Sequence, residues 1–142
     1  MDEPENALTL QVPWSLQAMG DLLVRLETHA DQQGWSPALT HKAMLVVEEL
    51  VVNAISYGDQ QPDAGKLEAR LQAQSDGLHI DIRDNGRAFD PFSQSAPDID
   101  ADLDSRQVGG LGIFLTKELS SSFHYERKDG LNHVHLCIQF DV

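Results

Sequence analysis

The sequence predicts an α+β domain in which a mainly antiparallel sheet carries a layer of helices on one face. The chain of 142 residues has the length of a single domain. Five short segments alternate apolar with polar residues, as strands with one buried face do. Two longer segments with helical apolar spacing separate the first of these strands from the second. Because the strands keep one polar face, we expect helices to cover only the other face.

The chain begins with a strand and a helix. Residues 8–12 alternate apolar with polar side chains, which predicts a strand that Pro13 ends. Ser15 can cap a helix, and Gly34 can terminate it. The apolar residues of this helix recur with helical spacing: Leu16, Met19, Leu22, Leu23 and Leu26.

A second helix is predicted to start at Ser36-Pro37. The serine can cap it, and proline suits the first helical position. We expect this helix to end near Gly58. The residues expected to face the core are Leu39, Ala43, Val46, Val47, Leu50 and Ala54.

A hairpin and a long irregular stretch follow. Residues 67–74 and 78–83 alternate as strands do, and Asp76-Gly77 between them is typical of a two-residue turn. From Asp84 to Gly110 no periodicity is present, and a stretch of that length in a small domain is typical of a functional lid. Glycines end this stretch, and a third helix is predicted through Leu119.

The chain ends in a second hairpin, with Asp129-Gly130 as its turn. This turn pairs two sets of polar residues on the face opposite the apolar one: His124 with His135, and Glu126 with His133. Three histidines and a carboxylate can hold a metal ion. The interpretation that we favour is an exposed polar face or a surface that contacts another protein.

The composition is strongly acidic. Lys and Arg number 10 and Asp and Glu number 23, which gives a net charge of −13. Such a surface repels phosphate backbones and suits a basic protein partner, so we expect no direct nucleic-acid binding.

Cys137 is the one cysteine, which excludes an intrachain disulfide. The acidic N-terminus is unlike a signal peptide and no apolar run reaches the ~18–20 residues of a membrane span, so we expect a cytoplasmic protein without membrane contact.

Three short segments carry residue types that can bind a nucleotide. Glu49 and Asn53 share one helix face, so a carboxylate that can accept a proton lies beside an amide oxygen that can ligate Mg²⁺. Asp84 precedes Gly86 at a strand end, where it can accept a hydrogen bond from an exocyclic amine. Residues 109–112, Gly-Gly-Leu-Gly, open a helix whose N-terminus favours anions. Taken singly, none of the three is specific.

In their order and context, these segments resemble the N-box, G1-box and G2-box of the GHKL ATPase and kinase superfamily. Within it the chain is most similar to the anti-sigma-factor serine/threonine protein kinases. Glu-x-x-x-Asn-Ala, Asp-x-Gly followed by Phe-Asp-Pro, and Gly-x-Gly occur in that family's order. The resemblance covers nearly the whole chain. It implies one histidine-kinase-like ATP-binding domain over residues 1–142, with the Bergerat two-layer α/β sandwich and an ATP lid at residues 87–109.

The resemblance also implies roles in binding ATP and Mg²⁺. Glu49 would be the general base that polarises the attacking hydroxyl, and Asn53 would ligate the Mg²⁺ that bridges the triphosphate. Asp84 would accept a hydrogen bond from the adenine amino group. Gly86 would let the base and the sugar lie against the loop.

The lid and its hinge complete the implied site. Gly110 and Gly112 would give backbone contacts to the phosphates, and Arg106 is the cation we select to offset the lid's acidic residues. Two positions depart from the family's pattern: Ala88 stands where a glycine is common, and Tyr57 where a histidine is common. Neither is the implied base or metal ligand, but alanine restricts the backbone and could alter lid closure.

The implied activity is that of an ATP-dependent serine/threonine protein kinase acting as an anti-sigma factor. It would phosphorylate a small anti-anti-sigma antagonist and sequester a sigma factor, and the related kinases are usually homodimers. The alternative is a non-catalytic, ATP-gated adaptor in a partner-switching pathway. The intact Glu49 favours the kinase, whereas Ala88 and Tyr57 leave the adaptor open. A third interpretation, the catalytic domain of a histidine kinase, would require a preceding helical hairpin with a phosphoacceptor histidine.

Overall fold

The computed structural model describes residue 4 and residues 6–58, 60, 64–93 and 110–140. The strands and helices, in chain order, are β1 (Ala7–Val12), α1 (Met19–Gln33), α2 (Pro37–Tyr57), β2 (Leu67–Gln74), β3 (Gly77–Asp84), α3 (Gly110–Leu119), β4 (Ser122–Lys128) and β5 (Leu131–Ile138). Short 3₁₀ turns occupy Leu16–Ala18 and Pro91–Ser93. The element order is the one that the sequence predicts.

The five strands form one antiparallel sheet in the order β1-β2-β3-β5-β4. A single apolar core joins the three helices to one face of this sheet. Side chains alternate across the sheet, so that on β3 Leu78, Ile80 and Ile82 are buried whereas His79 and Asp81 are only half-buried. The predicted α+β class is confirmed.

The helix ends confirm the capping signals. The Ser36 hydroxyl accepts a hydrogen bond from the Leu39 amide at 3.1 Å, and Gly34 closes α1 in the left-handed conformation, with φ of 70°. The prediction that Leu16 belongs to this helix is wrong, because Leu16 lies in the 3₁₀ turn before α1, where its side chain is 51% exposed. Ser15 caps a 3₁₀ turn rather than α1 itself, and the tighter repeat of that turn does not align Leu16 with the buried face.

The two hairpin turns differ in how well the sequence predicts them. Asp129-Gly130 is confirmed, with φ of 55° and 77°, as a type I′ turn requires. The pairing of His124 with His135 and of Glu126 with His133 follows from it.

The prediction of an Asp76-Gly77 turn is wrong by one residue. Gln74 pairs with Gly77, so the turn residues are Ser75-Asp76. Gly77 is instead the first residue of β3, with φ of 146°. Glycine is needed there because a Cβ would overlap the carbonyl of Ile138 and lie 2.9 Å from Cys137 Sγ.

Trp14 links the end of β1 to the end of α2. Its side chain is buried, and a Cβ placed on Gly58 or Gly65 would lie 2.5–2.7 Å from its ring. The indole therefore packs directly on the backbone of both glycines. Within the described ranges, no helix combines the length and the apolar composition needed to cross a bilayer.

Candidate functional site

A cleft lies between α2 and the central strands β3 and β5, and it brings the first two predicted segments together. Asn53 of α2 and Asp84 of β3 both line it. Leu50, Ile82 and Val134 supply apolar walls. A cleft with apolar walls and a few convergent polar groups is the usual form of a small-molecule site.

Asn53 is buried and held in one orientation. Its amide nitrogen donates a hydrogen bond of 2.8 Å to the carbonyl of Glu49, one helical turn earlier. Among the described residues, no group donates to Asn53 Oδ1. An amide oxygen is a suitable ligand for a hard cation, so Asn53 fits a Mg²⁺ ion on the chemistry of its donor.

Glu49 carries an uncompensated carboxylate. Its Oε2 atom is buried and has no hydrogen-bond partner in the described part of the chain. Burial raises the pKa of Glu49 above its usual value, and the neighbouring charge of Glu48 raises it further. Glu48 itself is exposed, as the helical geometry predicts. A buried carboxylate oxygen without a partner is suited to accept a proton or to face a bound cation.

The first turn of α3 packs directly on this carboxylate. A Cβ built on Gly112 would overlap the side-chain carboxyl group of Glu49. The resemblance assigns Gly112 to the phosphates, and the structure adds a second reason for glycine at this position. Gly110 begins α3. Arg106 and residues 94–109 of the predicted lid lie outside the described residues.

Asp84 is buried at the end of β3 and is fixed by two donors. Its Oδ1 atom accepts hydrogen bonds from the Gly86 amide at 2.8 Å and from Asn132 Nδ2 at 2.9 Å. Burial raises the pKa of Asp84 above its usual value. These two donors and the charge of Arg127 oppose that shift but do not cancel it.

Gly86 lets the loop after β3 pack against the end of α2. A Cβ there would lie 2.7 Å from Gly58 Cα and 2.9 Å from Asp84 Oδ1. The next residue, Arg87, donates its amide hydrogen to the Gly58 carbonyl at 2.8 Å. Contact between two backbones thus requires glycine here, in addition to the ligand contact that the resemblance implies.

Sequence reasoning missed Asn132, which holds this loop in place. Besides Asp84, Asn132 Nδ2 donates to the Arg87 carbonyl at 2.8 Å, and its Oδ1 accepts from the Phe89 amide at 3.3 Å and from the Tyr125 hydroxyl at 2.6 Å. A signal was present, because Asn132 occupies the inward position of an otherwise apolar stripe on β5. A polar residue in such a stripe usually has a structural or functional reason.

The described start of the predicted lid, residues 87–93, packs on the domain. The ring of Phe89 stacks on Tyr57, with centroids 4.7 Å apart and planes 14° apart. Phe92 packs on Phe123 at 4.7 Å. Ala88 is exposed. Asp129 is the one non-glycine residue with positive φ in the described chain, so position 88 does not need the freedom of glycine here.

Comparison with known families matches the described fold. The family model for histidine kinase-like ATPase domains matches residues 12–138. The serine/threonine-protein kinase BtrW of Bordetella bronchiseptica is 29% identical over 128 residues, which cover 90% of this chain and 90% of that protein. The serine-protein kinase RsbW of Listeria monocytogenes is 23% identical over 133 residues, covering 91% of this chain and 85% of that protein.

Two solved structures share the architecture. The RsbU and RsbW domains of Rv1364c from Mycobacterium tuberculosis match with a TM-score of 0.68 at 15% identity, covering 97% of this chain and 33% of that chain. The blue-light-activated histidine kinase EL346 of Erythrobacter litoralis matches with a TM-score of 0.54 at 14% identity, covering 90% of this chain and 61% of that chain. With the family model spanning nearly the whole sequence, the chain belongs to the histidine kinase-like ATPase domain family, and the serine kinases BtrW and RsbW are its distant relatives.

Proposed function

We propose that this protein is an ATP-dependent serine/threonine protein kinase that acts as an anti-sigma regulatory factor. The observation that carries the proposal is the buried Oε2 of Glu49, which has no partner among the described residues and lies one helical turn from Asn53. A structural carboxylate would be expected to have a donor. A carboxylate reserved for a hydroxyl proton has to stay free of one.

Binding of Mg·ATP is supported by the donor set of the cleft. Asn53 Oδ1 would ligate the Mg²⁺ ion, and Asp84 would accept the hydrogen bond from the adenine amino group. Gly110 and Gly112 are proposed to contact the phosphates, as the family resemblance implies, and Arg106 is proposed as the cation that offsets the acidic residues of the lid. The ion would neutralise charge on the triphosphate, which is the main requirement of phosphoryl transfer besides positioning.

The chain's own contribution to transfer is to hold the base and the cleft in position. Glu49 would accept the proton of the substrate serine, and its raised pKa brings its proton affinity closer to that needed near neutral pH. Gly112 leaves room for that carboxylate under α3. Asn132 fixes both Asp84 and the loop that follows it, so the adenine contact is held by buried hydrogen bonds.

The partners are proposed from family membership and charge. The relatives are named serine kinases, and the resemblance implies a small anti-anti-sigma protein as substrate. The net charge of −13 is complementary to a basic, DNA-binding sigma factor. Complementary charge of this kind accelerates association and helps to select the partner.

The test compares Glu49→Gln with the matched control Glu48→Gln. Both variants keep the side-chain shape and remove one carboxylate from the same helix, but Glu48 is exposed whereas Glu49 is half-buried with a buried Oε2. The assay follows transfer of labelled γ-phosphate from ATP to candidate antagonist proteins. Glu49→Gln should lose about 10²–10⁴-fold in transfer rate, and Glu48→Gln should stay close to wild type.

Calorimetry with Mg·ATP should give similar affinities for both variants and the wild type. Equal transfer by wild type and Glu49→Gln would exclude Glu49 as the base. If the wild type transfers no phosphate to any antagonist but holds a partner only when ATP is bound, the adaptor replaces the kinase.

A further inference from the structure

The outer face of the sheet, opposite the helices, carries a chain of imidazoles and carboxylates across β3 and β5. Asp76 Oδ1 lies 2.7 Å from His79 Nε2, and His79 Nδ1 lies 3.2 Å from His135 Nε2. His135 Nδ1 then lies 2.9 Å from Asp81 Oδ1. His133 Nε2 reaches the same oxygen at 2.8 Å. The register that places these residues side by side pairs β3 with β5.

Neutral imidazoles supply fewer N–H protons than this series of side-chain contacts needs. Three contacts join Asp76, His79, His135 and Asp81 in series. Each neutral imidazole supplies one N–H, and ionised carboxylates supply none. Two neutral rings therefore provide two protons for three contacts, and a metal ion bound at one of the contacts would complete the set.

Cys137 shows where along this series of side-chain contacts a metal ion fits. It pairs with His79 across β3 and β5. The ligand atoms of Asp76, His79 and Cys137 all lie within 4.8 Å of one another. We propose that Asp76, His79 and Cys137 form a Zn²⁺ site on the outer face of the sheet. Thiolate, imidazole and carboxylate are the ligand types that zinc takes, and a thiolate argues against Mg²⁺ or Ca²⁺.

The separations need only a small adjustment. Tetrahedral Zn²⁺ with bonds of about 2.0–2.3 Å places its ligand atoms roughly 3.3–3.8 Å apart, so a movement of about 1 Å closes the site. The Asp76 side chain is 66% exposed at the rim, so its carboxylate can shift from its contact with His79 toward a bound ion. The fourth position would be taken by water, because three side chains from this chain supply the other ligands.

The remaining residues form the outer shell that such a site requires. With Zn²⁺ on His79 Nε2, the Nδ1–H of His79 donates to His135 Nε2, and the Nδ1–H of His135 donates to Asp81. A metal-bound histidine usually donates its other N–H to such a partner, which fixes its tautomer and orientation. Each of the three contacts is then satisfied by one proton or by the metal ion.

The turn of the β2–β3 hairpin packs against the Cys137 side of the proposed site. Cys137 is 3% exposed, and its Sγ is 2.9 Å from the position that a Cβ on Gly77 would take. Glycine at 77 therefore lets the turn lie against the thiol while the preceding residue, Asp76, supplies a ligand. Bound zinc would tie the β2–β3 hairpin to β5.

The experiment titrates the full chain, first freed of metal by a chelator, with Zn²⁺ against a chromophoric competitor and with Co²⁺ as a spectroscopic probe. We expect one equivalent to bind, a thiolate-to-cobalt charge-transfer band in the near ultraviolet, and a higher melting temperature with Zn²⁺. Cys137→Ser should lose the band. Asp81→Asn should keep the band and bind about 10–100-fold more weakly, as expected for an outer-shell partner.

The matched control is His124→Gln, because His124 lies on the same face but outside the ligand group. It should bind Zn²⁺ as the wild type does. If Cys137→Ser does not fold, His79→Gln gives the same comparison by competition. Zinc affinity that is equal in wild type and in either ligand variant, or cobalt binding without a thiolate band, would overturn the site.

Discussion

Asp81 and Asp84 lie three residues apart on β3, on opposite faces of the sheet, and their pKa values move in opposite directions. Burial raises the pKa of Asp84, and its two neutral hydrogen-bond donors and the nearby charge of Arg127 do not reverse this. Burial also raises the pKa of Asp81, but hydrogen bonds from His135 and His133 together lower it below its usual value. The difference lies in the partners, because imidazoles can carry a charge that amides cannot.

This contrast separates a buried carboxylate that accepts from two amide groups from one that contacts two imidazoles. On the helix-covered face, Asp84 and Glu49 are both carboxylates whose ionised form is disfavoured by burial. On the outer face, Asp81 is held by its own neighbours. Groups with raised pKa values in a cleft are typical of functional sites. The buried face is therefore where changes should affect activity most.

The largest expected effect is that of Gly112→Ala. The added methyl group would overlap the carboxyl group of Glu49, so this carboxylate, the proposed general base, has to move. We expect phosphate transfer to fall by about 10²–10⁴-fold, the usual contribution of a general base. The measurement is the rate of transfer of labelled phosphate, with the melting temperature recorded for the same samples.

The control for this substitution is Gly20→Ala in α1, where a Cβ meets nothing within 4 Å. Alanine is favoured over glycine in a helix by roughly 0.5–1 kcal/mol, so this variant should be slightly more stable and equally active. Wild-type transfer by Gly112→Ala would show that α3 does not position the carboxylate.

An intermediate effect is expected for Asn132→Ala, which tests whether buried hydrogen bonds hold the inner site. The change leaves Asp84 Oδ1 with one donor fewer and removes the acceptor of the Tyr125 hydroxyl. A buried polar group left without its partner costs about 1–3 kcal/mol, which should appear in the free energy of unfolding measured with urea.

Binding of ATP should weaken in the same Asn132→Ala variant, since the loop carrying Gly86 and Arg87 loses its anchor. Gln11→Ala removes an exposed side-chain hydrogen bond to Glu68 and should change the free energy of unfolding by no more than about 0.5 kcal/mol. Similar losses in both variants would contradict a special role for the buried network.

The smallest expected effect distinguishes the two aspartates directly. Because the folded-state pKa of Asp84 lies above its usual 3.8, the native protein binds more protons than the unfolded chain just above that pH. Ionised Asp84 therefore lowers the free energy of unfolding as the pH rises through that range. As the pH is raised, the free energy of unfolding of Asp84→Asn should increase relative to that of wild type by about 1 kcal/mol or less. The ATP affinity of this variant should fall.

The variant Asp81→Asn is compared with Asp84→Asn at neutral pH, where the opposite effect on stability is expected. It loses the carboxylate that accepts from two imidazoles, so its free energy of unfolding should fall below that of wild type. Urea titrations of the two variants measure both effects. Equal loss of stability in the two at neutral pH would remove the distinction between the faces.

Local signals explain what the sequence could predict. Ser36 and Gly34 set helix ends through their own backbone neighbours, and Asp129-Gly130 fixes the strand pairing through a turn of two residues. The shared face of Glu49 and Asn53 follows from helical spacing alone. Such features depend on a few consecutive residues, which a sequence displays directly.

The features that the sequence could not predict depend on contacts between residues far apart in the chain. Asn132 reaches Asp84 only because β5 pairs with β3, 48 residues away in the chain. The contact of Gly112 with Glu49 depends on how α3 packs on α2. Asp-Gly is a strong turn signal and predicts the turn at Asp76-Gly77, one residue late, whereas the glycine lies in the strand beside Cys137.

The packing of Trp14 on Gly58 makes the protein its own optical reporter. The carbonyl of Gly58 accepts a hydrogen bond from the Arg87 amide. Movement of the loop after Asp84 would therefore change the backbone surface on which the indole of Trp14 packs. Trp35, the other tryptophan, lies edge-on to His29 at 5.6 Å, at the end of α1. Replacing Trp35 with phenylalanine would leave Trp14 as the single tryptophan, so a change at this contact could be followed by its fluorescence without attaching a dye.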